Sequence, residues 1–390
     1  MRILHAVEFY DPSVGGAQEV VRQISTRLAA RGHDVTVATS FDSRRRSSSI
    51  DGVTIRQFDI SGNAVRGIRG DVEAYRDLVR SDEFDVVMTY AAQQWTTDAM
   101  LPMLDEIRAA TVLAPCGFSG LSKPAYRGYF EDLPAALRSF DALVTHSAIY
   151  QDAEFIRRYG FDVEVIPNGA DEREFGGEVD PGAFRRSLGI PTHAPLVVLV
   201  GSHTGRKGHR AAIQAFLRAS SMGGGHLVII GNSPIRFSCE PLCGVHAALA
   251  RAVRTDRRVH LVDPPRAAVV SALVDADLML VCSQIECSPV VLFEAAAAGL
   301  PFVTVDVGNA REIIDWTGGG VLAASTRTKR GIVRADSAAL ARTIDELWGD
   351  PAARERLGAS GHQAWRARFS WSRIADEYER LYARLTGSRD

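Results

Sequence analysis

No stretch of this chain approaches the roughly 18 consecutive apolar residues that a bilayer-spanning helix needs. A helical membrane span is therefore not expected. Net charge is nearly absent as well: 47 acidic residues stand against 45 basic ones, leaving −2. Such a balance gives no reason to expect a nucleic-acid partner. Cysteine is scarce, with five in 390 residues, so the thiols are expected to be reduced and not part of a disulfide framework. Cys239, Cys243 and His246 stand close enough in sequence for a metal clip, but no second cysteine pair accompanies them and structural zinc takes four ligands. The expectation is no metal. The opening residues, MRILHAVEFYDPS, put charges and a proline where a signal peptide needs an apolar core, which leads to the expectation of a cytoplasmic protein. Arg44, Arg45 and Arg46 lie between serines. They read as a solvated loop, with weak peripheral contact at the inner membrane face as their alternative use.

What is present is the composition of a globular protein, 46% hydrophobic and 24% charged, in a chain too long for one ordinary core. Short apolar runs at Ile3–Ala6, Val35–Ala38, Val53–Arg56, Val86–Thr89, Thr111–Ala114, Ala142–Thr145 and Val163–Ile166 predict strands, several separated by helical patterns. After a segment rich in proline, glycine and acids, the series restarts at Leu196–Val200. It continues through Leu227–Ile230, Val259–Val262, Leu278–Val281 and Phe302–Val305. Alternating strands and helices predict two doubly wound α/β domains, with ligands at the carboxyl ends of parallel strands.

Three stretches carry chemistry. Ser283 to Pro301 reads SQIECSPVVLFEAAAAGLP. A strand should end before it and a helix should run from Pro289 to Ala298, with Ser288 as N-cap and Gly299 and Pro301 as the stop. Glu286 then lies in the loop and Glu294 one to two turns inside the helix. Between them the first amides, those of Val290 and Val291, favour an anion. The second stretch, Gly201 to Gly208, follows a strand and places Arg206 and Lys207 at a helix start, where the dipole disfavours cations unless an anionic ligand joins them. It misses the P-loop register, which would need glycine at 206 and serine or threonine at 208. Third, Gly15 and Gly16 precede the first helix in a loop that also holds Asp11 and Pro12, and they allow close approach of backbone to a ligand. Asp275 and Asp277 form a DxD pair, but the pair abuts a buried strand and is read as structural.

These stretches, in this order, resemble the GT-B glycosyltransferases, specifically the retaining enzymes of glycosyltransferase family four. Glu286 and Glu294 with the following EAAAAGLP match that family's E-x7-E motif, and Gly15-Gly16-Ala17 its glycine loop. Arg206-Lys207-Gly208 matches its phosphate-binding segment, Ile166 to Asp171 (IPNGAD) its domain junction, and Phe369 to Trp371 (FSW) its closing helix. The resemblance implies two Rossmann-like domains facing a cleft. The N-terminal one would comprise residues 1–170 and 371–390, joined by a linker at 171–194 to a nucleotide-sugar domain at 195–370. It implies transfer of a sugar from a nucleoside diphosphate sugar, as co-substrate and with no other cofactor, to an acceptor hydroxyl with retention and without metal.

Residue by residue, Glu294 would hold the ribose, Glu286 the sugar near its reacting carbon, and Arg206 with Lys207 the diphosphate. Gly201, Cys287, Ser288, Val290 and Val291 would complete the donor site, and Gly15 and Gly16 would approach from the facing domain. Two positions depart from the family pattern. Ser202 stands where many members have arginine, and Cys116 where members often have histidine. The acceptor side is therefore assigned to Asp11, Cys116 and His146. A nucleotide-sugar or glycan-binding protein without turnover, or an epimerase or phosphorylase on the same fold, are the alternative readings.

Overall fold

The computed structural model describes residues 1–177, 179–233, 238–253 and 256–387, and of residues 249–253 the backbone alone. The chain divides into two compact units, Met1–Asn168 with Trp371–Asp390, and Gly169–Ser370.

Every apolar run read as a strand is one. The first unit holds an eight-stranded sheet in the order Glu164–Val165, Ala142–Thr145, Ala110–Ala114, Val86–Tyr90, Arg2–Ala6, Asp34–Ser40, Val53–Phe58, Ser49–Ile50. Only the last, an edge strand, runs antiparallel to its neighbour. The first strand is central because Ile3, Leu4 and Ala6 are fully buried. Both its faces need cover, which is what parallel sheets require of their crossover helices. One cover is the helix Gly16–Ala30, which buries Val20, Val21, Ile24 and Leu28. Another is the C-terminal helix Trp371–Gly387, which buries Trp371, Ile374, Tyr378, Leu381 and Tyr382 at helical spacing. Each large apolar side chain so buried contributes roughly 1.5–3 kcal/mol. Ion pairs fasten this last helix from Arg31 to Asp376 (2.6 Å) and Glu379 (2.7 Å).

The second unit holds a six-stranded, all-parallel sheet in the order Arg258–Val262, His226–Ile230, Leu196–Val200, Leu278–Val281, Phe302–Thr304, Gly320–Leu322. The strand order reverses between Leu196–Val200 and Leu278–Val281, so their carboxyl ends form the switch point at which open sheets of this kind bind ligands. Residues 171–194, read as a connection, fold into this unit. They contain the helices Glu172–Phe175 and Ala183–Ser187, and Phe175, Phe184, Ile190 and Ala194 join its core.

Two readings change. The helix of the acidic motif spans Val290–Ala297 with Pro289, not Ser288, at the N-cap and no side-chain cap. The three arginines are not one solvated face. Arg45 is buried and donates to the carbonyls of Tyr10, Asp11 and Ser40 and to Gln57, so it fixes the loop after the first strand. Arg44 remains exposed and pairs with Asp42 at 2.7 Å.

Candidate active site

The two switch strands of the second unit end in the loops that carry the charged motifs. After Val200 the chain runs through Gly201–Gly208 into the helix His209–Arg218, and after Val281 it runs through Cys282–Pro289 into Val290–Ala297. Backbone contacts lock the loops together. The Gln284 amide donates to the Arg206 carbonyl at 2.7 Å. Gly208 has φ +73°, and a Cβ there would stand 1.9 Å from the Cys282 carbonyl oxygen, so only glycine allows this approach. On the other side Gly308, at φ +56°, lies where a Cβ would be 2.4 Å from the Cys287 carbonyl.

This packing sets the side chains. Lys207 lays its stem along Gly201, where an added Cβ would be 3.0 Å from its Cγ. Its Nζ lies 2.6 Å from Glu286 Oε1, with the two side chains 30% and 15% exposed. Arg206 is exposed beside it. Val290 and Val291 are half-buried at the start of their helix, where the first amides of a helix have no partner within it. Cys287 is half-buried, and its carbonyl accepts from the Asn309 amide at 3.0 Å; Ser288 is buried.

Glu294 is buried, and its Oε1 is 2.6 Å from Arg266, which also pairs with Glu174 at 2.6 Å and lies over the Phe175 ring. Burial works to lower the Arg266 pKa, but the charges of Glu294 and Glu174 outweigh it and hold the guanidinium above its ordinary value. Arg266 and Glu174 escaped the sequence reading. The signal for Arg266 was present: it opens the helix Arg266–Asp275 directly after Pro264-Pro265, a cation at the positive end of a dipole like Arg206 and Lys207. Glu174 had no such signal, because it stands in the stretch read as a linker.

The DxD pair sits at the opposite, amino-terminal edge of the sheet. Asp275 accepts from the amides of Gly182, Phe184 and Arg185, while Asp277 accepts from the Leu196 amide and pairs with Arg185 at 2.8 Å. Both carboxylates are spent on structure.

In the first unit, Gly15 is the N-cap of Gly16–Ala30 with extended backbone, and a Cβ at Gly16 would meet nothing within 4 Å. Neither packing nor backbone conformation within the unit requires glycine at Gly16. Asp11 is exposed. Cys116 is half-buried with φ +55°, in a turn where the next amide, from Gly117, donates to Asp152 at 2.8 Å. His146 is a correction to the acceptor-side assignment. It is buried, its Nδ1 lies 2.8 Å from the Ile166 carbonyl, and its Nε2 lies 2.8 Å from the Tyr90 hydroxyl. The carbonyl accepts only, so Nδ1 carries the proton and Nε2 accepts from the tyrosine. Burial lowers the pKa, and both nitrogens are engaged in the core.

The clip of Cys239, Cys243 and His246, weighed and set aside on the sequence, does not assemble. His246 is exposed and its Nδ1 takes the Leu242 carbonyl at 2.6 Å. The two sulfurs instead face His203 and His209, and one donor atom from each of the four lies within 4.8 Å of all the others.

A doubly wound unit with cations and carboxylates at its switch point, in a chain whose other unit holds a second, mostly parallel sheet, is the GT-B glycosyltransferase architecture. Residues 14–174 match the family described as Glycosyltransferase Family 4, and residues 194–350 the family described as Glycosyl transferases group 1. The chain thus carries both a family-four and a group 1 glycosyltransferase domain. A D-inositol 3-phosphate glycosyltransferase of Xylanimonas cellulosilytica is 28% identical, over 96% of this chain and 93% of its own. Among solved structures, a sucrose-phosphate synthase from Thermosynechococcus elongatus superposes with a TM-score of 0.80 at 21% identity, covering 99% of each chain. Anabaena HepE, solved in complex with UDP, superposes with a TM-score of 0.75 at 16% identity, covering 98% of this chain and all of its own.

Proposed function

We propose that this glycosyltransferase moves a sugar from a nucleoside diphosphate sugar to an acceptor hydroxyl with retention of configuration, and that the donor is held in the second unit. The observation that carries the proposal is the Lys207–Glu286 pair, 2.6 Å apart between the two loops of the switch point. In a mostly buried pair of this kind the attraction is largely offset by the desolvation of both charges, so the pair is weak evidence of a role in stability. It is better understood as two groups stored for a ligand. On donor binding Lys207 exchanges Glu286 for the diphosphate, and Glu286 turns to the sugar.

The chemistry follows from the charges. As the bond between the sugar and the diphosphate breaks, negative charge grows on the departing phosphate. Lys207, Arg206 and the amides of Val290 and Val291 are preorganised donors for that charge, so they bind the transition state more tightly than the ground state. Glu294, oriented by its ion pair with Arg266, is the carboxylate we assign to the ribose hydroxyls. None of the five cysteines is joined in a disulfide, which fits a cytoplasmic site of action.

Calorimetry with UDP, GDP, ADP and TDP tests the donor site. At least one nucleotide should bind, and Glu294→Ala should weaken it about tenfold, or ~1.4 kcal/mol. Lys207→Ala should lower kcat/KM by about 100-fold or more. Unchanged affinity for every nucleotide in both variants overturns the site. Product of inverted configuration by NMR overturns retention.

A further inference from the structure

We propose that His203, His209, Cys239 and Cys243 form a closed structural zinc site beside the basic loop of the second unit.

The first argument is distance. Cys239 Sγ lies 3.5 Å from His209 Nδ1, 3.7 Å from His203 Nδ1 and 3.9 Å from Cys243 Sγ, while Cys243 Sγ lies 3.8 Å from His209 Nδ1. A tetrahedron built from Zn–S bonds of about 2.3 Å and Zn–N bonds of about 2.0–2.1 Å has S···S edges of about 3.8 Å and S···N edges of about 3.5–3.6 Å. Four of the six edges are thus already near the length that a central ion would impose.

The second argument is orientation. His209 Nε2 lies 3.1 Å from the Gly201 carbonyl, which can only accept. That bond puts the proton on Nε2 and leaves the Nδ1 lone pair aimed at the sulfurs, as the outer-shell partner of a metal-bound histidine does. The cysteines are four residues apart, and the first turn of their helix is closed by the Cys243 amide on the Cys239 carbonyl at 2.9 Å, so both project from one face. The Cys239 amide donates to the His203 carbonyl at 3.0 Å, which ties the two halves of the site through backbone as well.

The third argument is chemical composition. Two thiolates and two imidazoles suit zinc above harder cations. Two thiolate charges neutralise the dication, and the two thiol protons leave to solvent, so the complex carries no net charge. That matters where His203, His209 and Cys243 are all buried and an uncompensated charge would be costly. With four protein ligands no position is open for substrate, so the ion would fasten the structure and take no part in transfer. It would join the loop Gly201–Gly208, the start of His209–Arg218 and the helix Glu240–Val253. His203 is three residues from Arg206, so the site would hold the diphosphate loop without touching the donor.

The test uses the full chain, freed of any affinity tag and dialysed against a weak chelator. Plasma mass spectrometry should find about one zinc per chain. The double variant Cys239→Ser/Cys243→Ser should hold at least about tenfold less, while His246→Ala retains the wild-type content. If the double variant does not fold, cobalt(II) exchanged into the wild-type chain gives the same answer. Thiolate-to-cobalt charge transfer with strong tetrahedral d–d bands supports the site, and weak octahedral bands alone overturn it. Zinc-free wild-type protein with both thiols titratable also overturns it, as does an intact mass lower by two hydrogens from a Cys239–Cys243 disulfide. Because the readout is metal content and not transfer, the result stands apart from the assignment of the donor site.

Discussion

Arg266 is the residue on which the proposed donor site turns without being one of its expected contacts. It bridges Glu174 and Glu294, each at 2.6 Å, and so fixes the rotamer of a carboxylate that is itself buried. Removing it leaves Glu294 without its cation in a poorly solvated place, and such a carboxyl rises in pKa and loses its capacity to accept two hydroxyls. Arg266→Ala is expected to weaken nucleotide binding about tenfold near pH 7. Much of the loss should be recovered in Arg266→Lys, because a point charge survives although the two-sided bridge does not. Calorimetric titration of the two variants with the best-binding nucleotide checks this. Equal, wild-type affinity in both would mean that Glu294 needs no orienting partner.

At the scale of elements, Asp275 shows how a motif can mislead when its neighbours are ignored. Its carboxylate caps the start of the helix Ala183–Ser187 by accepting three amides, at the edge of the sheet away from the loops with Glu286 and Lys207. Asp275→Ala strands those donors. The expected cost is about 1–3 kcal/mol, read as a lower urea midpoint, with nucleotide affinity unchanged within about twofold. The strands were legible because each is a short apolar run between breakers, a local property. The acidic helix was legible to within a residue at each end, since Pro289 and Gly299 punctuate it. What stayed hidden was non-local. Arg45 sits inside a run of three arginines, and nothing in that run says that its middle member turns inward to three carbonyls. His203 and His209 precede the cysteines by about thirty residues, and only the pairing of Leu196–Val200 with His226–Ile230 carries the chain back to join them. The pattern H-x5-H followed by C-x3-C was nonetheless readable as ligand spacing.

At the scale of the whole molecule, His5 reports the integrity of the first unit. It is fully buried, with Nδ1 2.7 Å from Ser25 and Nε2 3.1 Å from Tyr382, and burial lowers its pKa to about 3. The unfolded chain takes a proton at this residue below about pH 6.5, whereas the native chain does not until far lower. The contribution of neutral His5 is therefore complete above about pH 6.5 and is lost as pH falls toward 3. Urea midpoints between about pH 4 and 6 should fall with pH in the wild type. In His5→Gln the slope should be shallower by up to ~1.4 kcal/mol per pH unit, even though that variant is less stable at neutrality.

The same contact has a bearing on synthesis. His5 and Tyr382 are 377 residues apart, and at roughly 5–20 residues per second a ribosome needs on the order of half a minute to make the second after the first. During that interval the opening sheet lacks the helix that covers it, whereas Gly169–Ser370 is continuous and is complete once Ser370 has emerged. The unit translated first is therefore the one that finishes folding last, and a chain interrupted before Trp371 has an earliest strand with an uncovered face.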